Sequence, residues 1–397
     1  MGTINQLKSA SGQALLASLP PYDEANAFAL TTRLREQGYT ADLVAAALTQ
    51  SRLRLKAHEK FGDFANGMMF TAAGLEQATR LQIGGHHAAR LRRAGARHVV
   101  DLGCGIGADS LTFAGLGLGV TAIERDHETA EAAAFNLRAF PEARVIEADA
   151  FALDLSELGA DALWLDPARR ANGKRLTDPE EWQPRFSEAI ALARKFPAAG
   201  IKVAPGVAYE YLPDDAHVQW ISADRELIEA VVWLGVAAPK PGRSALMLRD
   251  SKTLTFEAAS GSPAEPVVPV AARELGPYIY EPDPAVIRAG GIERLAGELD
   301  LAPVSEGIAY LTGEPVESDL LGAFRVREVL PMNPKAVKKA LQREGIGQLE
   351  IKKRGTDVTP EEFRRKLSLK KAKGARAVLI LTPLLGRHRA VLATRER

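Results

Sequence analysis

The sequence predicts an α/β protein: a mostly parallel sheet covered by helices, with a helical region before it and small α+β modules after it. Three observations carry this expectation. Across residues 97–256, short apolar runs rich in β-branched residues alternate with helical runs, the pattern of a parallel sheet with helices on both faces. One of the runs, at 98–102, enters a glycine-rich turn that opens a helix. The charge is also divided: residues 331–397 hold 18 Lys and Arg against 6 Asp and Glu, a net +12, whereas the rest of the chain carries −11.

Length and composition bound the reading. At about 150 residues per domain, 397 residues make two or three domains. With 46% hydrophobic and 25% charged residues, the chain can bury a sizeable core and still present an ordinary charged surface. A single cysteine excludes an intrachain disulfide and fits a reducing compartment. The first residues lack the apolar core of a leader peptide. No apolar run approaches the roughly 18 residues of a membrane helix, and the longest, at 227–238, contains Glu229. These features describe a soluble, cytoplasmic protein with no membrane contact.

In chain order, residues 1–70 read as helical. Gly38 stops one periodic segment, Thr40 caps the next, and Leu43, Val44, Ala47 and Leu48 share its face until Phe61-Gly62. Residues 71–256 form the sheet domain. Strands are expected at 98–102, 120–124, 144–148 and 162–166, then at 201–203, 219–222 and 245–248. Asp126 caps the helix that stops at Pro141. Residues 257–277, rich in Ala, Ser, Gly and Pro, read as a linker. A small unit follows at 278–322, with a helix near 284–299 and a strand near 308–311. The last module, 323–397, reads β-α-β-α-β-β. Its second helix opens on the capping box Thr359-Pro-Glu-Glu362, with proline at the first helical position.

The run Asp101-x-Gly103-x-Gly105-x-Gly107 is the candidate cofactor loop. Glycines there let the chain turn sharply and admit a ligand without a Cβ clash. The place, at the carboxyl end of a strand, is where open α/β sheets bind ligands. Dinucleotide loops have a different glycine spacing and hold pyrophosphate at the helix N-terminus. An acidic residue at Asp101 suits a cationic ligand instead, and S-adenosylmethionine carries a sulfonium and an ammonium. Glu124, ending the second strand, can accept both ribose hydroxyls. Asp149, ending the third, can accept from the adenine amine, with the Ala150 N–H available to a ring nitrogen. Upstream, Thr71 and Gln77 in Phe70-Thr71-x5-Gln77-Ala-Thr79 stand where methyltransferases often cover the methionine end of the cofactor.

The fourth strand ends in Asp166-Pro167-Ala168-Arg169-Arg170. An amine on an aromatic ring is a poor nucleophile because its lone pair is delocalised. A carboxylate that accepts one of its N–H bonds localises the pair, and the backbone that follows aims it. Asp166 and Pro167 can do this, and Arg169 and Arg170 can hold a phosphate or stack on a base. Lys202, at the end of the fifth strand, either faces this site or is solvated. Methylation at pyrimidine C5 needs a cysteine nucleophile on the substrate side, and Cys104 sits in the cofactor loop instead. No His/Cys set has metal spacing. His86 and His87 are adjacent, hence about 100° apart on a helix and unsuited to pair as ligands.

Residues 71–170 resemble the class I S-adenosylmethionine-dependent methyltransferases, with their Rossmann-like sheet. The core is similar in particular to the trimethylguanosine-synthase-like branch, through the threonine segment, the glycine loop, Ala-Ile-Glu124 and the fourth-strand motif. In that branch an aromatic residue usually follows the prolines and stacks on the target base; here Ala168 and Arg169 stand instead. Phe324-Arg-Val-Arg-Glu-Val-Leu-Pro331, Leu349-Glu-Ile-Lys-Lys-Arg-Gly355 and Ala377-Val-Leu-Ile-Leu381 resemble the THUMP-like domain that ends certain bacterial methyltransferases. The unit at 278–322 looks like the small ferredoxin-like insert of the same proteins. The resemblance implies S-adenosylmethionine as cofactor and RNA, tRNA or rRNA, as partner. Lys352, Lys353, Arg354, Arg364, Arg365 and Lys370 would contact phosphates. The expected activity is methyl transfer to a base nitrogen of RNA. The alternatives are a methyltransferase for a protein or small molecule, and a non-catalytic RNA-binding protein of the same fold.

Overall fold

The structure, a computed structural model, describes residues 3–168, 170–171, 174–249, 252–368 and 374–396, with main chain alone at 3, 170–171 and 174–175. The chain forms two compact units, 1–204 with 231–239, and 205–230 with 240–397. Among the described residues no helix is long and apolar enough to cross a membrane.

The first unit opens with α1 (Thr3–Lys8), α2 (Ala10–Ser18), α3 (Ala27–Glu36) and α4 (Ala41–Phe61). Thr40 caps α4, its hydroxyl accepting from the Leu43 N–H, and Gly62 ends it at φ 55°. Apolar residues of these helices (Leu15, Leu34, Val44, Leu53, Phe61) make one core with Ile106 and Phe135. The extended segment that follows is clamped from both sides. Gln50 bonds the Phe70 carbonyl and N–H at 2.6 and 3.0 Å, and Asn136 does the same for Met69 at 3.0 and 2.7 Å. Buried backbone that lacks a neighbouring strand is thereby satisfied by two buried amides, and Thr71 is fixed at the start of α5 (Ala72–Gln77).

Then come α6 (Leu81–Arg93), β1 (His98–Leu102), α7 (Ala108–Gly115), β2 (Gly119–Glu124), α8 (His127–Leu137), β3 (Ala143–Glu147), β4 (Ala162–Leu165), α9 (Phe186–Ala193) and β5 (Ala198–Val203). The strands lie in the order β3-β2-β1-β4-β5, all parallel. The second half of β7 (Glu226–Gly235), residues 231–235, continues the row beside β5. The order reverses at β1, so the carboxyl ends of β1, β2 and β4 flank the topological switch point where such sheets bind ligands. Gly200 of β5 is a packing requirement: a Cβ there would lie 2.6 Å from the Trp164 ring and 2.9 Å from Trp233.

The second unit holds β6 (His217–Ala223), the first half of β7, β8 (Gly242–Arg249) and β9 (Lys252–Ser260), with β8 parallel to β6 and antiparallel to β9. Residues 261–277 contain no helix or strand. A seven-stranded sheet follows. It contains β10 (Tyr278–Pro282), β11 (Ala302–Pro303), β12 (Leu311–Gly313), β13 (Leu321–Pro331), β14 (Ile346–Lys353), β15 (Ala375–Leu384) and β16 (Arg387–Arg395). Their order is β11-β12-β10-β13-β16-β15-β14. The units read at 278–322 and 323–397 therefore share one sheet, joined where Ile279 of β10 pairs with Phe324 of β13. The helix expected over 284–299 is two, α10 (Pro284–Arg288) and α11 (Ile292–Leu299), because Gly290 takes φ 75° between them. The strand expected at 308–311 begins only at Leu311. Helices α12 (Pro334–Arg343) and α13 (Pro360–Leu367) fall where the caps at Asn333 and Thr359 place them.

Candidate active site

The glycine loop is built as its sequence requires. Gly103, Gly105 and Gly107 take φ of 72°, 57° and 80°, a region that disfavours a Cβ. The Gly103 and Cys104 N–H groups donate to the Ile123 carbonyl at 2.9 and 3.1 Å, which ties the loop to β2. A Cβ on Gly105 would meet nothing within 4 Å, so the loop is open at its tip. Burial pushes the Cys104 thiol well up, so this sulfur is a packing group and not a thiolate nucleophile.

Three carboxylates stand at the carboxyl ends of the first three strands: Asp101 is the penultimate residue of β1, Glu124 the last of β2, and Asp149 lies just beyond β3. Glu124 Oε2 accepts from the Gly105 N–H at 3.0 Å and Oε1 from the Asp126 N–H at 2.9 Å. Both bonds orient the carboxylate, and each oxygen keeps a lone pair for a ligand hydroxyl. Asp149 is exposed and accepts from the Phe151 N–H at 3.0 Å, and Ala150 begins the short 3₁₀ turn Ala150–Ala152. Asp101 is deeply buried and accepts from the Ser110 hydroxyl at 2.5 Å. Burial first, and Asp109 next, push its carboxyl up to about 8. A cation arriving beside it would favour its charged form. Thr71 caps α5 by accepting from the Gly74 N–H at 3.1 Å, whereas Gln77 is exposed at the end of that helix.

Asp166 follows β4 directly. Its carbonyl oxygen would be the nearest neighbour of a Cβ on Gly103, at 3.7 Å, which puts this strand end against the cofactor loop. Pro167 is buried, and Ala168 forms a bridge with Gln183. Arg169 lies outside the described residues, as does the side chain of Arg170. Lys202 is 4% exposed and its Nζ stands 2.5 Å from Asp166 Oδ2, so it faces the site and not solvent. It also donates to Thr79 Oγ1 at 3.0 Å and lies 3.9 Å from Asp109 Oδ2. The Thr79 hydroxyl donates to Asp109 at 2.6 Å, and His87 Nδ1 meets the other Asp109 oxygen at 3.0 Å. Burial alone would raise the Asp109 carboxyl, yet the His87 hydrogen bond and the Lys202 charge bring it down to about 2.

Sequence reasoning missed Asp109 and His87 and left Thr79 without a role. The signal available was a polar triad in an apolar setting: Asp109 in the first turn of α7, His87 on the buried face of α6, and Thr79 between helices. Nothing in their spacing joins them.

In the C-terminal sheet the cations named from sequence divide. Lys352 is ion-paired with Glu281 at 2.7 Å, Arg364 donates to the Leu349 carbonyl at 2.6 Å, and Arg354 stacks over Tyr310 at 5.3 Å. Lys353 donates to the Thr356 carbonyl at 3.3 Å and is exposed. Arg365 is exposed on α13. Lys370 lies outside the described residues. The exposed Lys335 and Lys339 of α12, Lys366 of α13 and Arg387 of β16, not singled out from sequence, join the basic surface.

Residues 321–395 match a family model described as THUMP domain-like, and residues 1–57 match a domain of unknown function. The chain is 28% identical over 345 residues to S-adenosylmethionine-dependent methyltransferases, described as uncharacterized, from two strains of Mycobacterium tuberculosis, CDC 1551 and H37Rv. The match spans 84% of this chain and 91% of theirs. The crystal structure of a protein described as a methyltransferase from Porphyromonas gingivalis W83 superposes with a TM-score of 0.72 at 20% identity, covering 95% of this chain and all of that one. The fold is the class I methyltransferase fold, with a THUMP-like domain at the C-terminus.

Proposed function

We propose that this chain, an S-adenosylmethionine-dependent methyltransferase, transfers the methyl group to a base nitrogen of RNA in the cytoplasm. The donor set fits the cofactor: three carboxylates and an open glycine loop suit a cationic ligand. Asp101 answers its positive charge, Glu124 its ribose, and Asp149 with the Ala150 N–H its adenine. Thr71 and Gln77 border its methionine end. S-adenosylmethionine supplies an electrophilic methyl group on its sulfonium. The observation that carries the chemistry is Asp166, held by Lys202 beside Gly103: its carboxylate accepts an N–H of the target amine and turns the nitrogen lone pair toward the loop, with Pro167 fixing the backbone. Arg169 contacts a phosphate or base of the same substrate.

Glu124 gives a direct test of the cofactor site. Glu124→Ala is expected to weaken calorimetric binding of S-adenosylmethionine, since hydrogen bonds to a charged acceptor contribute about 1.5–3 kcal/mol each. Unchanged affinity would remove Glu124 from the site.

RNA as substrate is supported by the THUMP-like module and its net +12 over residues 331–397. Cations displace the counterions of phosphates, so binding should fall linearly on a log–log salt plot, with a slope near −0.7 per phosphate contacted on a single strand. Because Lys352, Arg354 and Arg364 have partners inside the fold, the informative variant replaces Lys339, Arg365 and Lys366 with alanine. It is expected to flatten the slope by about 2 in filter binding of bulk tRNA and rRNA fragments, and to leave cofactor affinity alone. Absence of RNA binding by the wild type at low salt would transfer the reading to a protein or small-molecule substrate.

A further inference from the structure

We infer that Lys202 is the positioning residue for Asp166 and that Thr79 and Asp109 anchor it; this rests on the role of Asp166 proposed above. An aspartate after the last residue of a strand has two rotatable bonds and, with its side chain 26% exposed, room to use them. A carboxylate that must meet one N–H in one direction needs a fixed plane. Lys202 supplies the constraint. It belongs to β5, next to β4 in the sheet, with Leu165 paired to Ile201. Its ammonium meets Asp166 through Oδ2 at 2.5 Å, and Oδ1 is the oxygen assigned to accept from the substrate.

The lysine is itself fixed from two other elements. Thr79, between α5 and α6, accepts from it at 3.0 Å, and Asp109, in the first turn of α7, balances its charge at 3.9 Å. Asp109 is held in turn by Thr79 and His87, and His87 packs on Trp164 with ring centroids 4.5 Å apart. A surface lysine beside an acid would be solvated and mobile, with little effect on geometry. This one is almost wholly buried, between two carboxylates and a hydroxyl, and burial of that kind costs stability unless the charges are well paired. Such an arrangement is suited to holding a carboxylate still.

The test is methyl transfer from labelled S-adenosylmethionine to bulk RNA from cells that lack the gene, using the full chain and the variants Lys202→Met, Lys202→Arg, Asp166→Asn and the double Asp166→Asn/Lys202→Met. Lys202→Met is expected to lower kcat about 100-fold, the scale of a misplacement near 1 Å, with cofactor Kd and the KM for RNA within twofold of wild type. Lys202→Arg should recover part of the loss. The double variant should be no slower than Asp166→Asn, because Lys202 acts through Asp166. Wild-type turnover in Lys202→Met, or losses that multiply in the double variant, would overturn the inference. Wild-type turnover in Asp166→Asn would instead remove the role of Asp166 itself. A second measurement needs no substrate and no unfoldable variant. The lysine ¹⁵Nζ spectrum of the wild type should show one slowly exchanging ammonium, lost in Asp166→Asn and in Thr79→Val; if neither change moves it, the anchoring is refuted.

Discussion

Asp166→Ala is expected to abolish nearly all methyl transfer while leaving the cofactor site intact. The reason is differential binding. An acceptor that meets the target amine only as its lone pair is turned toward the methyl group stabilises the transition state more than the ground state, so its loss falls on kcat. Removal of one such preorganised group costs about 10²–10³ in rate. The change takes a counter-ion from Lys202 and so costs stability, but Thr79 and Asp109 remain as its partners and hold it in place. Single-turnover transfer to RNA, with calorimetric affinity for S-adenosylmethionine measured beside it, checks both halves. A variant that turns over like the wild type would place the reacting group elsewhere; one that also loses the cofactor would make Asp166 part of the binding site.

The sheet was legible because its strands differ in kind from their surroundings. Runs such as residues 98–102 and 162–165 are short, apolar and closed by a glycine or a proline, and their spacing leaves room only for crossover helices. The glycine loop was legible because positive φ is written in residue type: three glycines at alternate positions, all of which take it. β7 was not read as a strand. Its buried half, Ala-Val-Val-Trp-Leu, has no alternation, and a continuous apolar run does not declare its period. The break in the helix near 290 is written in Gly290-Gly291, yet paired glycines inside a helical pattern can also be tolerated, and only the packing decides.

The candidate site divides in the same way. Asp101, Glu124, Asp149 and Asp166 could be singled out because each stands at or next to a strand end, and strand ends in order are a sequence property. Lys202 is also at a strand end, but its direction is not: alternate residues of β5 face opposite sides of the sheet, and all of β5 is buried. Thr79 and His87 stand 30 and 22 residues before Asp109 in the chain and meet it only because α6 packs on α7. The basic tail was legible as a charge count and not as a surface. Lys352 pairs with Glu281 inside the sheet, and Arg364, though exposed on α13, donates to the Leu349 carbonyl, while Lys339 and Lys366 are exposed on the helices.

The largest stability effect is expected at Asp109. Its carboxylate joins Lys202, Thr79 and His87 in a site nearly closed to water, and Asp109→Ala takes one of the counter-ions from a buried lysine, leaving it Asp166. Breaking a buried pair costs about 3–5 kcal/mol, most of it the penalty on the charge left behind. The pH dependence fixes the assignment. A carboxyl held at about 2 against an ordinary value of 3.8 contributes stability that is fully present above pH 4 and is lost as pH falls toward 2, amounting to about 2 kcal/mol. Asp101 works in the opposite sense. Its carboxyl, raised to about 8, favours the folded state most below pH 4 and loses that contribution as pH rises to 8. Because Asp109 is the second cause of that rise, its removal should move the Asp101 titration down and soften the alkaline loss. Urea unfolding of the wild type and Asp109→Ala between pH 3 and pH 9 is the measurement. The gap between the two proteins should be widest near pH 5, narrow as pH falls below 4, and shrink as pH climbs toward 8, where the wild type bears the charge of Asp101 beside that of Asp109. A gap under 1 kcal/mol that stays constant across the range would mean that Asp109 carries no buried charge, and the network would be a set of neutral hydrogen bonds.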